Sequence, residues 1–178
     1  MKWLKRISVG LLVVAVVLLA IGCLLPSRQR VEHSITITGQ PVEVFSRVAT
    51  LRRWPDWTAW TTNRFPDLTM RFDGPESGAG ATMVAAGKSS GDGTVKIMAA
   101  DPANGIAYLL DFNHGAQLFN GSIRYTNTPQ GLVVAWALEA DLGANPLKRW
   151  GGLALDILMG GDMKQGLANL KRDVEAGR

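Results

Sequence analysis

The chain has 178 residues, which is enough for one domain with a hydrophobic core and a short additional segment. Its formal net charge of +4 is concentrated near the N-terminus, because residues 1–30 carry five Lys and Arg and no acid. The remaining 148 residues carry 14 Lys and Arg against 15 Asp and Glu, so that part of the chain is close to neutral. A domain that binds nucleic acid needs a basic surface of its own. The composition therefore argues against a nucleic-acid partner.

Residues 7–25 form an uncharged apolar stretch, ISVGLLVVAVVLLAIGCLL. A helix rises ~1.5 Å per residue, so about 20 such residues cross the core of a bilayer. Lys2, Lys5 and Arg6 precede the stretch, which favours a cytoplasmic N-terminus and an extracytoplasmic domain. We therefore predict a single-pass membrane protein with a basic N-terminus (1–6), a transmembrane anchor (7–25), a linker (26–30) and a domain (31–178).

Two other interpretations of this segment stay open. A cleaved signal peptide usually has an apolar core of about 7–15 residues before a small-x-small site, and Ala20 with Gly22 is the best such pair here. A lipoprotein signal would end at Cys23, although Ala20 occupies the position where Leu is usual. Cys23 is the one cysteine of the chain, so the predicted domain has neither a disulfide nor a thiol nucleophile.

The domain begins with a strand, because apolar and polar residues alternate from Val31 to Thr38. Pro41 suits the first turn of a helix, and three tryptophans spaced by three residues, Trp54, Trp57 and Trp60, follow that helix. From Leu68 to Asp141 the alternation predicts about six further strands, separated by short Gly- and Pro-containing turns. Such short connections imply antiparallel neighbours. The expected class is α+β, with helices against one face of a curved sheet.

The C-terminal part predicts two helices. Asn145 and Pro146 are typical of an N-cap and a first turn. Gly160 and Gly161 are expected to interrupt the helix, and Asp162 is expected to cap a new one. On this interpretation the sheet wraps around residues 162–176, and residues 147–159 form a separate, movable flap hinged at the two glycines.

Residues 30–176 resemble the START-like, helix-grip SRPBCC superfamily, in its polyketide cyclase/dehydrase-like branch. The matching segments, in order, are ITITGQPVEVF, LRRWPDWTAW, FDGPESGAGATM, GDGTVKIM, GLVVAWALEADLG and GGDMKQGLANLKRDVE. The resemblance implies a START/Bet v 1-like antiparallel sheet of about seven strands around a C-terminal helix. It also implies an apolar cavity for lipids, sterols or polyketides, but no particular activity.

The sequence offers few groups for catalysis. His33 lies on the apolar face of the first strand, where a hydrogen-bonded rim histidine is the simpler interpretation, and His114 lies in a turn. Two distant histidines predict no zinc site, and Gly78-Ala79-Gly80 lacks the lysine of a phosphate-binding loop. We therefore assign no catalytic residue, no metal ligand and no cofactor.

The leading hypothesis is a membrane-anchored domain that binds or carries a hydrophobic small molecule, such as a lipid or a polyketide-like compound. One alternative is a non-catalytic interaction module whose outer surface binds an unknown protein partner. A weaker alternative is a cyclase-like or hydrolase-like enzyme that uses His33 or Tyr108. For Trp54, Trp57 and Trp60 plain core packing is the favoured interpretation, and for Gly166 close packing on a strand is favoured over clearance for a ligand. The expected cavity residues are Trp57, Trp60, Phe72, Tyr108, Leu110, Phe112, Phe119, Trp136, Ile157, Gly166 and Leu167.

Overall fold

The structure is a computed structural model and describes residues 2–177. The helices are α1 (Lys2–Leu24), α2 (Pro41–Val48), α3 (Trp54–Trp57), α4 (Pro146–Gly152) and α5 (Leu155–Ala176), with a 3-10 turn at Leu51–Arg53. The strands are β1 (Arg28–Ile37), β2 (Thr69–Asp73), β3 (Thr82–Ala86), β4 (Gly93–Asp101), β5 (Gly105–Phe112), β6 (Gln117–Thr128) and β7 (Gly131–Asp141).

The seven strands form one curved antiparallel sheet in the order β1-β7-β6-β5-β4-β3-β2. Short turns connect neighbouring strands from β2 to β7, whereas β1 pairs with the last strand, with Val31 opposite Leu138. A register shift between Ile97 and Ala99 in β4 adds a bulge, a feature that bends a strand. This architecture confirms the predicted α+β, helix-grip class.

The sheet packs its inner face on α5, which runs along β1 and beside α3. Met163, Leu167, Leu170 and Val174 are all buried on one face of α5, as their helical spacing predicts. Each fully buried side chain of this kind contributes about 1.5–3 kcal/mol. This contact is therefore a main source of the stability of the domain.

α5 does not break at Gly160 and Gly161, so the predicted hinge there is wrong. The helix continues through both glycines. The interruption lies instead at Leu153 and Ala154, which form a turn between α4 and α5. Gly160 is buried, and a Cβ added to it would overlap the Asp156 carboxylate and lie 2.9 Å from His33 Nε2. Close packing against β1 thus explains this glycine without a break in the helix.

The linker between α1 and the first strand of the domain is shorter than predicted. β1 begins at Arg28, inside the predicted linker, so only residues 25–27 separate the strand from α1. Within α1, Arg6–Leu24 has a mean hydropathy of 3.0 and is long and apolar enough to cross a membrane. A signal sequence near the N-terminus would meet the same criteria. The anchor therefore stays a proposal.

Candidate functional site

An apolar pocket of about 70 Å³ lies between α3, the inner face of the sheet and α5. Strands β4, β5 and β7 and helix α5 all contribute residues to its lining. Apolar side chains form most of the lining, and Thr58, Tyr108 and Asp162 bring oxygen atoms to it. The lining residues are Trp54, Thr58, Ala59, Trp60, Val95, Tyr108, Leu110, Trp136, Met159, Asp162 and Met163.

Four aromatic rings, which we call the aromatic cluster, pack together at the inner side of the pocket: Trp54, Tyr108 and Trp136 line it, and Trp57 lies behind them. The ring centroids lie 5.2 Å apart for Trp54 and Tyr108, 5.4 Å for Trp54 and Trp57, and 5.2 Å for Trp57 and Trp136. Their tilted and edge-to-face arrangement is the one that aromatic pairs prefer. The cluster therefore occupies space that the sequence analysis assigned to an open cavity.

Tyr108 and Trp136 are joined by a buried hydrogen bond, in which Trp136 Nε1 donates to the Tyr108 hydroxyl oxygen over 2.6 Å. Burial raises the pKa of Tyr108, so the phenol keeps its proton at neutral pH. Two glycines make room for the rings. Tyr108 lies over Gly121, its cross-strand neighbour on β6, and a Cβ on Gly166 would lie 2.8 Å from Trp136 Cζ3.

The mouth of the pocket combines movable and polar side chains. Trp60 and Met159 are half-buried there, and Met is a flexible side chain that adapts to different shapes. Asp162, which was expected to cap a new helix, lies inside α5 and pairs with Arg64 over 2.7 Å. This ion pair ties the loop after α3 to α5 on one side of the mouth.

One buried donor of the aromatic cluster lacks a partner. Trp57 is fully buried. Among the buried side-chain nitrogen and oxygen atoms of residues 2–177, only Trp57 Nε1 has no hydrogen-bond partner. The Trp57 carbonyl, in contrast, accepts a hydrogen bond from Asn169 Nδ2 of α5 over 3.2 Å. An unsatisfied buried donor costs about 1–3 kcal/mol, so the packing of the aromatic cluster must offset this cost.

The structure brings most, but not all, of the predicted cavity residues together. Trp60, Tyr108, Leu110 and Trp136 line the pocket. Behind this lining lie Trp57, Phe112, Phe119, Gly166 and Leu167. The Phe112 ring makes edge-to-face contacts with the rings of Trp60 and Phe119, at centroid distances of 5.3 and 6.1 Å.

Two predicted cavity residues lie elsewhere. Phe72 is on the edge strand β2, where the Arg52 guanidinium lies 4.7 Å from the centre of its ring, and it lines a separate surface pocket. Ile157 is 84% exposed, because this turn of α5 points away from the sheet. The assignment of both residues to the central cavity is therefore wrong.

Several pocket residues were not predicted as such. Met159 and Met163 are one helical turn apart and share a face of α5, a signal that the expected break at Gly160 and Gly161 concealed. Trp54, which was expected to follow the first helix of the domain, begins a further short helix, α3. The full set of missed lining residues is Trp54, Thr58, Ala59, Val95, Met159, Asp162 and Met163.

Neither histidine lines the pocket. His33 Nε2 lies 2.8 Å from Asp156 Oδ1 and connects β1 with the first turn of α5. His114 Nε2 lies 3.3 Å from Asp92 Oδ2 at the turn after β5. Among residues 2–177, no group of three or more His, Cys, Asp or Glu side chains is arranged to hold a metal ion. Both histidines thus serve contacts between secondary-structure elements.

Comparison with solved structures supports the fold. A protein of Rhodobacter sphaeroides aligns with a TM-score of 0.57 at 15% identity, over 83% of this chain and 93% of that one. The di-domain ARO/CYC StfQ from the steffimycin biosynthetic pathway aligns with a TM-score of 0.62 at 14% identity, over 85% of this chain and 52% of that one. Ara h 8.0201 aligns with a TM-score of 0.57 at 15% identity, over 84% of this chain and 99% of that one.

Sequence comparison identifies the family. A search of curated proteins gives no match. The family described as polyketide cyclase/dehydrase and lipid transport matches residues 28–175, from the first residue of β1 almost to the end of α5. Because this match spans most of the chain, the protein belongs to the polyketide cyclase/dehydrase and lipid transport family.

Proposed function

We propose that this protein is a membrane-anchored domain that binds or carries a hydrophobic small molecule in the pocket between α3, the sheet and α5. The observation that carries the proposal is the pocket itself, which is apolar on most sides and holds a few convergent polar groups. Family membership and fold both fit the binding of a hydrophobic ligand.

The size of the pocket decides how a ligand would bind. A dry cavity of about 150 Å³ holds a benzene-sized molecule, and the pocket here is about half as large at 70 Å³. A lipid or a polyketide-like compound therefore requires side chains at the mouth to move. Trp60 and Met159 are half-buried and Met159 is flexible, so these two side chains are the ones that we expect to open the pocket.

The polar atoms of the pocket indicate the chemistry of the ligand. The Tyr108 hydroxyl accepts a hydrogen bond from Trp136. Within residues 2–177, no acceptor is found for the proton of this hydroxyl. We infer that the Tyr108 proton is donated to an acceptor on the ligand, such as a carbonyl, ester or ether oxygen. The proposed ligand is thus apolar with one acceptor placed among its apolar atoms.

The same groups suit binding better than proton transfer. Burial raises the pKa of Tyr108 and opposes its ionisation, so it is a poor base at neutral pH. Asp162, the other titratable group of the lining, is held by Arg64 at the rim. A hydrogen-bonding role for Tyr108 and a positioning role for Asp162 follow from these environments.

The short connection between α1 and β1 supports a membrane-associated role. If α1 crosses the bilayer, residues 25–27 alone connect it to β1. Three extended residues span at most about 11 Å, so the domain lies against the membrane that contains hydrophobic molecules. We propose a single-pass protein, with the domain on the extracytoplasmic side, as the charge of the N-terminus favours.

Native mass spectrometry of the full chain, released from detergent micelles, tests the binding proposal. Ala59→Trp places a large ring at the mouth, where Ala59 is half-buried, whereas Ala103→Trp adds the same ring in an exposed turn. We expect a copurified hydrophobic adduct on the wild type and on Ala103→Trp, and its loss from Ala59→Trp. A wild type without any adduct, even after incubation with oleic acid, would contradict the proposal.

A second candidate function has its own support. The small volume of the pocket and the packed aromatic cluster also fit a domain with a closed interior that uses its outer surface to contact a protein. In that case Ala59→Trp and Ala103→Trp would behave alike with every apolar probe, and a partner would crosslink to the surface of the domain.

A further inference from the structure

Four large apolar side chains are exposed on α4 and at the beginning of α5. They are Leu147, Leu153, Ile157 and Leu158, with exposed fractions of 68%, 50%, 84% and 72%. Single exposed apolar residues are normal on a protein surface, whereas several of them on two successive helices indicate an interaction site. We call this group the α4–α5 surface.

The α4–α5 surface adjoins α1. Trp150 of α4 donates a hydrogen bond from Nε1 to the Leu18 carbonyl oxygen over 3.0 Å. Arg149 Nη1 donates to the carbonyl oxygens of Cys23 and Leu25 over 2.6 and 3.1 Å. The last carbonyls of a helix lack partners within the helix. Arg149 therefore caps the end of α1 while Trp150 fixes α4 along its side.

The position of Trp150 gives the depth of this contact. Leu18 precedes Leu24, the last residue of α1, by six positions, which corresponds to about 9 Å at ~1.5 Å per residue. Amphipathic segments that lie in a membrane interface insert by about 5–10 Å. Trp is the residue type enriched at this level of a bilayer. A membrane-spanning α1 would thus carry α4 into the boundary between headgroups and acyl chains.

A glycine in α1 permits the contact. A Cβ added to Gly22 would lie 2.8 Å from Pro146 Cβ and 3.0 Å from Trp150 Nε1. Gly10, in the same helix, has no atom within 4 Å of the equivalent position. Gly22 is therefore required for the close approach of α4, whereas Gly10 is a matched position without a neighbour.

We propose that the α4–α5 surface docks on the lipid bilayer beside α1 and fixes the orientation of the domain on the membrane. The proposal rests on α1 being a membrane anchor, as in the proposed function. The bilayer is favoured over a second copy of the chain because α4, which carries part of this surface, contacts α1 at Leu18, about 9 Å before α1 ends. Lipid surrounds α1 at that level.

Spin labels on the full chain in phosphatidylcholine–phosphatidylglycerol nanodiscs test the proposal, with Cys23→Ser to remove the native thiol. Labels at Leu153→Cys and Leu158→Cys are expected to be accessible to oxygen, which concentrates in lipid, and protected from a water-soluble nickel complex. Met98→Cys, on the outer face of β4 and 58% exposed, is the aqueous control. Val13→Cys in α1 reports on the anchor itself.

The outcomes separate the two proposals. If the Val13 label lies in lipid and the other labels behave like that at Met98, docking is overturned and the anchor stands. If the Val13 label is aqueous, the anchor fails and docking fails with it. Labels at Leu153 and Leu158 that are shielded from both reagents would show a protein, including a second copy, on this surface and would likewise overturn lipid docking.

A second pair of variants tests the role of the α1–α4 contact without altering the surface. We expect Gly22→Leu to separate α4 from α1 and to increase the nickel accessibility of the labels at Leu153 and Leu158 several-fold. Gly10→Leu, which makes no contact with the domain, is expected to leave both labels in lipid. Equal accessibility in the two variants would overturn the proposal that α1 positions this surface.

Discussion

The continuity of α5 through Gly160 and Gly161 leads to a sharp prediction about stability. A Cβ added to Gly161 has no atom within 4 Å, apart from its own helix. Glycine in a helix interior is about 0.8–1.0 kcal/mol less favourable than alanine. Gly161→Ala should therefore raise the free energy of unfolding by about 1 kcal/mol, provided that α5 is one uninterrupted helix.

Gly166→Ala is the matched variant at a packed position. Its Cβ would lie 2.8 Å from Trp136 Cζ3 and 3.4 Å from the Trp57 carbonyl oxygen. Overpacking of this kind costs about 1–3 kcal/mol, and the gain in helix propensity offsets about 1 kcal/mol of that. The expected net effect is a destabilisation of up to about 2 kcal/mol, opposite in direction to that of Gly161→Ala.

Urea unfolding of the full chain in detergent micelles, followed by tryptophan fluorescence, measures both effects. With a slope of ~2 kcal/mol/M, a change of 1 kcal/mol shifts the midpoint by about 0.5 M. A midpoint of Gly161→Ala that is unchanged or lower would show that the helix is interrupted there. An increase for Gly166→Ala as large as that for Gly161→Ala would show that Trp136 does not pack on α5.

Four further variants test other contacts. Arg47→Ala should lower the unfolding free energy by about 1.5–3 kcal/mol, because a nearly buried guanidinium bonds the Asp173 carboxylate, whereas Arg71→Ala in an exposed pair should change it by less than about 1 kcal/mol. Burial raises the pKa of Tyr125 to about 12, whereas the unfolded chain loses this proton from about pH 10. The free energy of unfolding should therefore fall as the pH rises from about 10 to about 12. Urea titrations at each pH should show a smaller fall for Tyr125→Phe. Gly121→Ala should displace the tyrosine ring that lies over it, lower the urea midpoint and abolish ligand adducts; an unchanged midpoint would contradict that packing.

Strand alternation and helix caps made most of the fold predictable. The polar–apolar period of two placed the inner faces of the strands correctly, as Tyr108 and Trp136 show, because one face of an antiparallel sheet is buried. Asn145 was recognisable as an N-cap and accepts hydrogen bonds from Leu147 N and Lys148 N over 2.9 and 3.4 Å. These signals are local, so they can be recognised without tertiary structure.

The missed features depend on tertiary contacts. Adjacent glycines predict a break in a helix by propensity alone. Here, however, the His33 side chain of β1, which bonds Asp156 of α5, packs against Gly160, and α5 stays intact. The same error hid Met159 from the predicted pocket. Ile157 was predicted to line the cavity, but this part of α5 faces outward and the side chain is exposed.

The volume of the pocket could not be read from composition. The sequence shows the aromatic residues that a cavity needs, but not whether their rings line it or fill it. Here Trp54 and Trp57 pack edge-to-face on Tyr108 and Trp136, respectively, and leave about 70 Å³. Ring orientation depends on side-chain rotamers and on close approaches such as that at Gly166, which periodicity does not determine.

Methyl NMR of the full chain labelled with ¹³C-methionine tests the central claim most directly. Met159 and Met163 line the pocket, Met83 is buried elsewhere in the core, and Met98 is exposed on the outer face of the sheet. On titration with oleic acid or 2-acetylnaphthalene, two apolar probes with carbonyl acceptors, we expect saturable shifts of the Met159 and Met163 methyl signals and an unchanged Met83 signal. Shifts confined to Met98, or no saturable shift at either pocket methionine, would contradict binding in this pocket.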